Sequence, residues 1–156
     1  MKYLLILLLS FSGYGQINDD FIFVRAEVDP KNAVFGSDVN DPALDFTLTI
    51  GRRSAGFNLS FTYEQFKAIQ YQSSYFEAGK FWNTEKHFQF GILAGAGLVW
   101  RRNDWAKFLT PTVNLSGVVE YHLNNLLFAS ARLEPRYRGD LKKVIASGYI
   151  GIGIKL

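Results

Sequence analysis

The sequence has no cysteine, one methionine, four prolines and two histidines among 156 residues. Without cysteine there is no disulfide, no thiolate nucleophile, no cysteine-held zinc and no N-terminal lipoprotein anchor. With His87 and His122 alone, few parts are at hand for a metal centre or a catalytic triad. No apolar stretch reaches the 18 or so residues that a transmembrane helix needs. The excess of bases is small, 17 against 14 acids, and argues for no nucleic-acid partner. Aromatic and small residues are abundant instead: 14 Phe, 8 Tyr, 3 Trp and 14 Gly. That aromatic load excludes disorder, and the length suits one domain.

The N-terminus differs from the rest. Lys2 gives a short positive region, Tyr3 to Leu9 is unbroken apolar chain, and Gly13 and Gly15 stand three and one residues before Gln16. This is the pattern of a signal peptide, too short in its apolar part to span about 30 Å of hydrocarbon. The expectation is a cleaved leader over 1–15 and a single secreted domain over 16–156.

Beyond residue 20 the period is two. Between His87 and Trp100 the even positions are Phe88, Phe90, Ile92, Ala94, Ala96, Leu98 and Trp100, and the odd ones are mostly Gly, Gln and Leu. Similar alternation over 21–28, 43–51, 56–67, 74–82, 110–122, 126–137 and 144–156 gives eight strands with essentially no helix, and the phase of the third falters near Phe66. Connections 29–42, 68–73, 101–109 and 138–143 are longer and polar, whereas 52–55, 83–86 and 123–125 are tight turns. Long loops at one end and short turns at the other, on an even number of meandering strands, suit a transmembrane barrel. The fold class expected is therefore all-β, an eight-stranded antiparallel up-and-down transmembrane β-barrel.

Alternation alone also describes a soluble, lipocalin-like binding barrel with its apolar face inward. The polar face decides between them. It is rich in Gly, Ser, Thr and Asn, not in the dense charge of a water-facing surface, so it belongs inside. The apolar face carries Leu, Ile, Val and Phe, with Tyr63, Trp82, Trp100 and Tyr121 near strand ends and Trp105 in a loop, as membrane interfaces select. On the inward face lie Arg25, Glu27, Asp45, Glu64, Glu77, Glu120, Arg132 and Glu134. Buried charges must pair or stay hydrated, and eight strands enclose little space, so these residues are expected to form a salt-bridged plug centred on Arg132, with Glu120 as a partner. With Arg136 and Lys155 towards the strand ends counted, acids outnumber bases there by six to four at most, which leaves at least two carboxylates to reach water or keep a proton.

The chain resembles the small eight-stranded outer-membrane barrels of the OmpX and OmpA type, including the Ail/Lom group. The likeness extends over 16–156 in length, strand count and loop alternation. Its local signature is the last strand, where Tyr149, Gly151, Ile154 and Leu156 resemble the signal read by the outer-membrane assembly machinery. Ile154 and Leu156 stand where those proteins usually have aromatics. The resemblance implies a cell-surface, porin-like membrane protein of a Gram-negative-type bacterium, and a monomer. Its expected partners are the lipid bilayer, lipopolysaccharide and a surface protein.

No complete catalytic constellation is present, and no enzyme activity, cofactor, metal or catalytic residue is expected. Glu120 and His122 share a face, but neither Ser116 nor Ser130 stands at a known deacylase spacing, so His122 reads as a rim residue. The Gly pairs at 95/97 and 151/153 lie on one face of strands and relieve crowding. Arg101, Arg102, Lys107, Arg138, Lys142 and Lys143 form two basic loop segments suited to an anionic partner. The function expected is a membrane scaffold whose loops mediate adhesion, surface protection or partner binding. A lipid-modifying enzyme or narrow transporter is the alternative.

Overall fold

The computed structural model describes residues 20–35, 44–66, 70–103 and 106–156. The leader segment and Trp105 lie outside these residues. Eight strands follow one another: β1 (Phe21–Val28), β2 (Asp45–Ser54), β3 (Phe57–Phe66), β4 (Tyr71–Trp82), β5 (Phe88–Asn103), β6 (Ala106–His122), β7 (Leu127–Arg138) and β8 (Lys143–Lys155). Each pairs antiparallel with its neighbours, and β1 closes on β8, Val24 opposite Ile154 and Val28 opposite Ile150. The molecule is a closed up-and-down barrel with no free sheet edge.

One short helix, α1 (Pro30–Phe35), departs from the helix-free expectation. Asp29 caps it, accepting hydrogen bonds from the amides of Lys31 and Asn32 at 2.8 and 3.3 Å, and Pro30 supplies a fixed φ at the first helical position.

Several strand boundaries shift from those expected, and β4 starts at Tyr71 and not at residue 74. The β2–β3 turn is only Ala55-Gly56, both at positive φ (48° and 77°), a two-residue hairpin turn of the I′ kind. Arg52 and Arg53 are therefore strand residues. Residues 101–103 and 106–109 also continue β5 and β6 in ladder pairing, with Arg102 opposite Lys107, and are not loop. Phe66 keeps the phase of its strand and faces inward at 5% exposure beside Tyr71 and Val99, because large apolar side chains occupy the interior near that end.

The alternation sorts the two faces. Ile50, Leu59, Phe76, Ile92, Leu115, Leu133, Ile150 and Ile152 are among the large apolar residues pointing outward and exposed, while Thr47, Thr49, Thr62, Ser116 and Glu120 are fully buried inside. Twelve residue steps from Phe88 to Trp100, at about 3.3 Å each and a tilt near 40°, give an apolar wall roughly 30 Å high. Trp82 and Tyr121 ring the turn end, and Tyr63, Trp100 and Tyr137 the loop end. A water-soluble chain would not leave such a belt uncovered; hydrocarbon covers it at no cost.

Candidate functional site

The interior is more aromatic than the composition of its polar face suggested. Phe21, Phe23, Phe66, Tyr71, Tyr75, Phe81, Phe128 and Tyr149 all point inward and are buried. Space for four of them comes from glycine on the adjacent strand: Phe23 lies opposite Gly51, Tyr75 opposite Gly97, Phe81 opposite Gly91 and Phe128 opposite Gly153. A Cβ built on Gly91 would sit 2.7 Å from the Phe81 ring, and one on Gly153 2.1 Å from Phe128.

Between these rings the charged residues form three connected levels. Near the turn end, Arg53 donates to both oxygens of Glu120 at 2.9 and 3.0 Å and to Gln89 Oε1 at 2.9 Å. Its guanidinium carbon lies 3.4 Å over the Phe81 ring centre, as close as cation–π contact allows. Gln89 passes the network to the β4–β5 turn, donating to the carbonyls of Thr84 and Lys86. Glu120 also contacts Arg25 at 3.3 Å and His122 Nε2 at 3.1 Å.

At mid-height Arg132 spans Glu27 (3.0 Å), Glu134 (3.1 Å) and Glu77 (3.5 Å), and donates to the Tyr75 hydroxyl. Ser116 donates to Glu77 and Glu134, and Ser130 to Glu27. Towards the loop end Arg136 bridges Glu64 and Glu134, and Ser73 and Tyr149 donate to Glu64 at 2.8 and 2.9 Å.

The eight inward residues singled out in the sequence all lie in this interior, each no more than 4% exposed. Two details are corrected. Arg132 does not contact Glu120, whose partners are Arg25, Arg53 and His122, because Glu120 sits near the turn end of β6 and Arg132 faces the mid-level acids. His122 is not a rim residue: it is fully buried, stacked on Phe128 with ring centres 5.2 Å apart. Arg53 was missed altogether because Arg52-Arg53-Ser54 before Ala-Gly reads as a turn. Its position continues the inward phase of Thr47, Thr49 and Gly51, and that parity was the available signal. Neither Ser116 nor Ser130 is brought to His122; both donate to carboxylates.

The basic loop candidates divide. Arg138 turns inward, 8% exposed, with its guanidinium 4.1 Å over Tyr71 and two hydrogen bonds to Asp140 at 3.0 and 2.6 Å. Arg101 shares Asp140 at 3.7 Å. Burial acts to raise the Asp140 pKa, but hydrogen bonds and charge from Arg138, with Arg101 behind, hold the carboxyl below its ordinary value. Lys142, at a φ of 51°, is exposed on the β7–β8 turn, and Lys143, the first residue of β8, is exposed beside it. Arg102 and Lys107 lie in strands, and their side chains are outside the described set. On β8, Tyr149 and Gly151 face the interior, while Ile154 and Leu156 point outward, 43% and 75% exposed.

No family model and no curated protein matches the sequence. Solved structures do match the fold. The N-terminal β-barrel domain of Pseudomonas aeruginosa OprF superposes with a TM-score of 0.67 at 16% identity, over 90% of this chain and 100% of that one. The outer-membrane protein Ail of Yersinia pestis in a phospholipid bilayer nanodisc gives 0.60 at 9% identity, over 89% and 100%. Ail in complex with the heparin analogue sucrose octasulfate gives 0.50 at 10% identity, over 88% and 97%. The chain has the fold of the small eight-stranded outer-membrane barrels.

Proposed function

We propose that this protein is an outer-membrane scaffold, exported by its N-terminal leader, whose lumen is closed and whose loop end does the work of adhesion, surface protection or partner binding. The observation that carries the reading is the interior itself. Arginine-centred ion pairs, packed between aromatic rings, lie at turn end, mid-height and loop end of the barrel. A hydrated ion path must be open at every level, and one level closed by such contacts blocks it. With transport set aside, the part that meets the outside is the loop rim, where Arg101, Lys142 and Lys143 offer positive charge to an anionic surface. Ail, of the same fold, has been seen with a sulfated polyanion, which supports a polyanionic partner here.

The lipid-modifying alternative has less support: Glu120 and His122 form a hydrogen-bonded pair, but the serines that would complete a triad bond elsewhere. The test is the purified protein in planar bilayers and on heparin resin. The expected outcome is no steady conductance and salt-sensitive retention that falls in Lys142→Gln/Lys143→Gln. Stable channels in wild type would overturn the closed-lumen reading. Solubility without detergent would overturn the membrane reading.

A further inference from the structure

The interior holds seven buried acids against six buried bases among the described residues. The buried bases are Arg25, Arg53, Arg132, Arg136, Arg138 and Lys155; the buried acids are Glu27, Asp29, Asp45, Glu64, Glu77, Glu120 and Glu134. Arg138 is taken by Asp140, and Lys155 lies at the turn end against the Phe21 ring. Asp29 and Asp45, each only 4% exposed, make no ion pair among the described residues. They are cross-strand neighbours at the loop-end mouth, tied by a backbone hydrogen bond from Asp29 N to Asp45 O at 3.0 Å. The charges nearest Asp45 are Asp29, Glu64 and Arg136, and Arg136 is committed to Glu64 and Glu134.

A single neutral group stands between the two acids. The Asn32 side-chain nitrogen donates to Asp29 Oδ2 and to Asp45 Oδ2, both at 3.2 Å. The other oxygen of Asp45, Oδ1, is buried and has no hydrogen-bond partner among the described residues. Asp29 Oδ1 is satisfied by the amides of Lys31 and Asn32, so what remains is two buried carboxylates joined by one side-chain amide, with a lone Asp45 oxygen and no cation paired to either among the described residues. Turning the Asn32 amide by 180° puts its oxygen where its nitrogen was, between the same two carboxylates. The Asn32 oxygen would then lie beside both Oδ2 atoms, giving a donor set of three side-chain oxygens.

We propose that Asp29, Asn32 and Asp45 form a calcium-binding site at the loop-end mouth of the barrel. The donors are all oxygen, which excludes the soft metals and favours a hard cation. Among the described residues no three His, Cys, Asp or Glu side chains converge as a metal centre; this site has two carboxylates and an amide, leaving the remaining positions to water. Calcium accepts such an irregular, partly hydrated shell, whereas magnesium demands near-ideal octahedral geometry. Two charges and a small ligand set belong to the weak class of calcium sites, with affinities of about 0.1–1 mM.

The test uses the full chain refolded in lipopolysaccharide-free zwitterionic detergent, with calcium followed by calorimetry and by the temperature at which the folded gel band is lost. Calcium should bind wild type saturably and raise that temperature, and magnesium at equal ionic strength should do so much less. Asp45→Asn should be more heat-resistant than wild type in EDTA, because it removes an unpaired charge, and should lose the calcium response. Asn32→Asp should be less heat-resistant in EDTA and bind calcium more tightly. If Asp45→Asn fails to fold, Asn32→Ala, which keeps both acids and removes the bridging amide, should weaken calcium binding. Equal calcium responses in wild type, Asp45→Asn and Asn32→Ala would overturn the site. So would the absence of calcium binding in wild type, which would mean that the two carboxylates share a proton instead.

Discussion

Arg53 and Arg132 each hold buried carboxylates that have few other cations to turn to. Arg53→Met leaves Glu120 with only Arg25 at 3.3 Å and His122, and removes the donor to Gln89. Breaking one side of a buried pair costs about 3–5 kcal/mol, and the loss should show as a lower urea midpoint in detergent. Adding Glu120→Gln should recover part of it, since the stranded charge goes with it. Arg132→Met should cost a similar amount, because Glu77 has no other ion-pair partner among the described residues, and Glu27 and Glu134 keep only Arg25 and Arg136. Asp140 acts outside the wall, and there the sign is set by its lowered pKa. A depressed carboxylate contributes stability above its unfolded value near pH 4 and loses it as pH falls through the folded one. Acidification below about pH 4 should therefore loosen the Arg138–Asp140–Arg101 contact, and Asp140→Asn should lose that acid dependence in the urea midpoint. The inward acids were legible in the sequence because a period of two sorts residues without knowing their partners. Partners were not: the Glu120–Arg53 pair joins β6 to β2 across the lumen, and nothing in the spacing of one strand reports what faces it from the far wall.

The strands were legible as elements for the same reason, yet their ends were not. Charges beside a turn look like turn, which places Arg52 and Arg53 outside β2 in the sequence, although Arg52 points out to Asp20 and Arg53 points in. How the inner face packs was hidden too. A glycine on one strand makes room for an aromatic ring on the next, and that complement appears only once register is known. On β8 the two kinds of glycine stand three residues apart. A Cβ on Gly151 would lie 2.1 Å from the Ala26 carbonyl oxygen, whereas one on Gly148 meets nothing within 4 Å. Gly151→Ala must push β1 from β8 at the seam that closes the barrel, and should cost about 1–3 kcal/mol as other overpacked sites do. Gly148→Ala should stay within about 0.5 kcal/mol of wild type. Refolding yields and gel-shift midpoints of the two variants check the contrast. Equal losses would mean that the β1–β8 register differs from Glu27 opposite Gly151.

At the scale of the whole molecule, one face of every strand is a continuous apolar wall, and the solvent that wall requires fixes the environment. Leu115, opposite Ala94 near the middle of β5 and β6, is 51% exposed, and Leu156 lies beyond the end of β8 at the turn-end rim. In a bilayer the cost of an outward charge depends on depth. Leu115→Arg should cost about 2–4 kcal/mol or block insertion, and Leu156→Arg only about 0–1 kcal/mol, because an arginine at the rim reaches the headgroups. In water the order would differ: an arginine replacing an exposed leucine costs little at either place and improves solubility. Folding both variants into phospholipid vesicles and measuring their urea midpoints therefore reads out the solvent of the wall directly. A steep loss at Leu115 with little change at Leu156 is what hydrocarbon against the middle of β6 produces. Two near-neutral substitutions would mean that water, not lipid, faces the belt of Leu, Ile and Phe around this barrel.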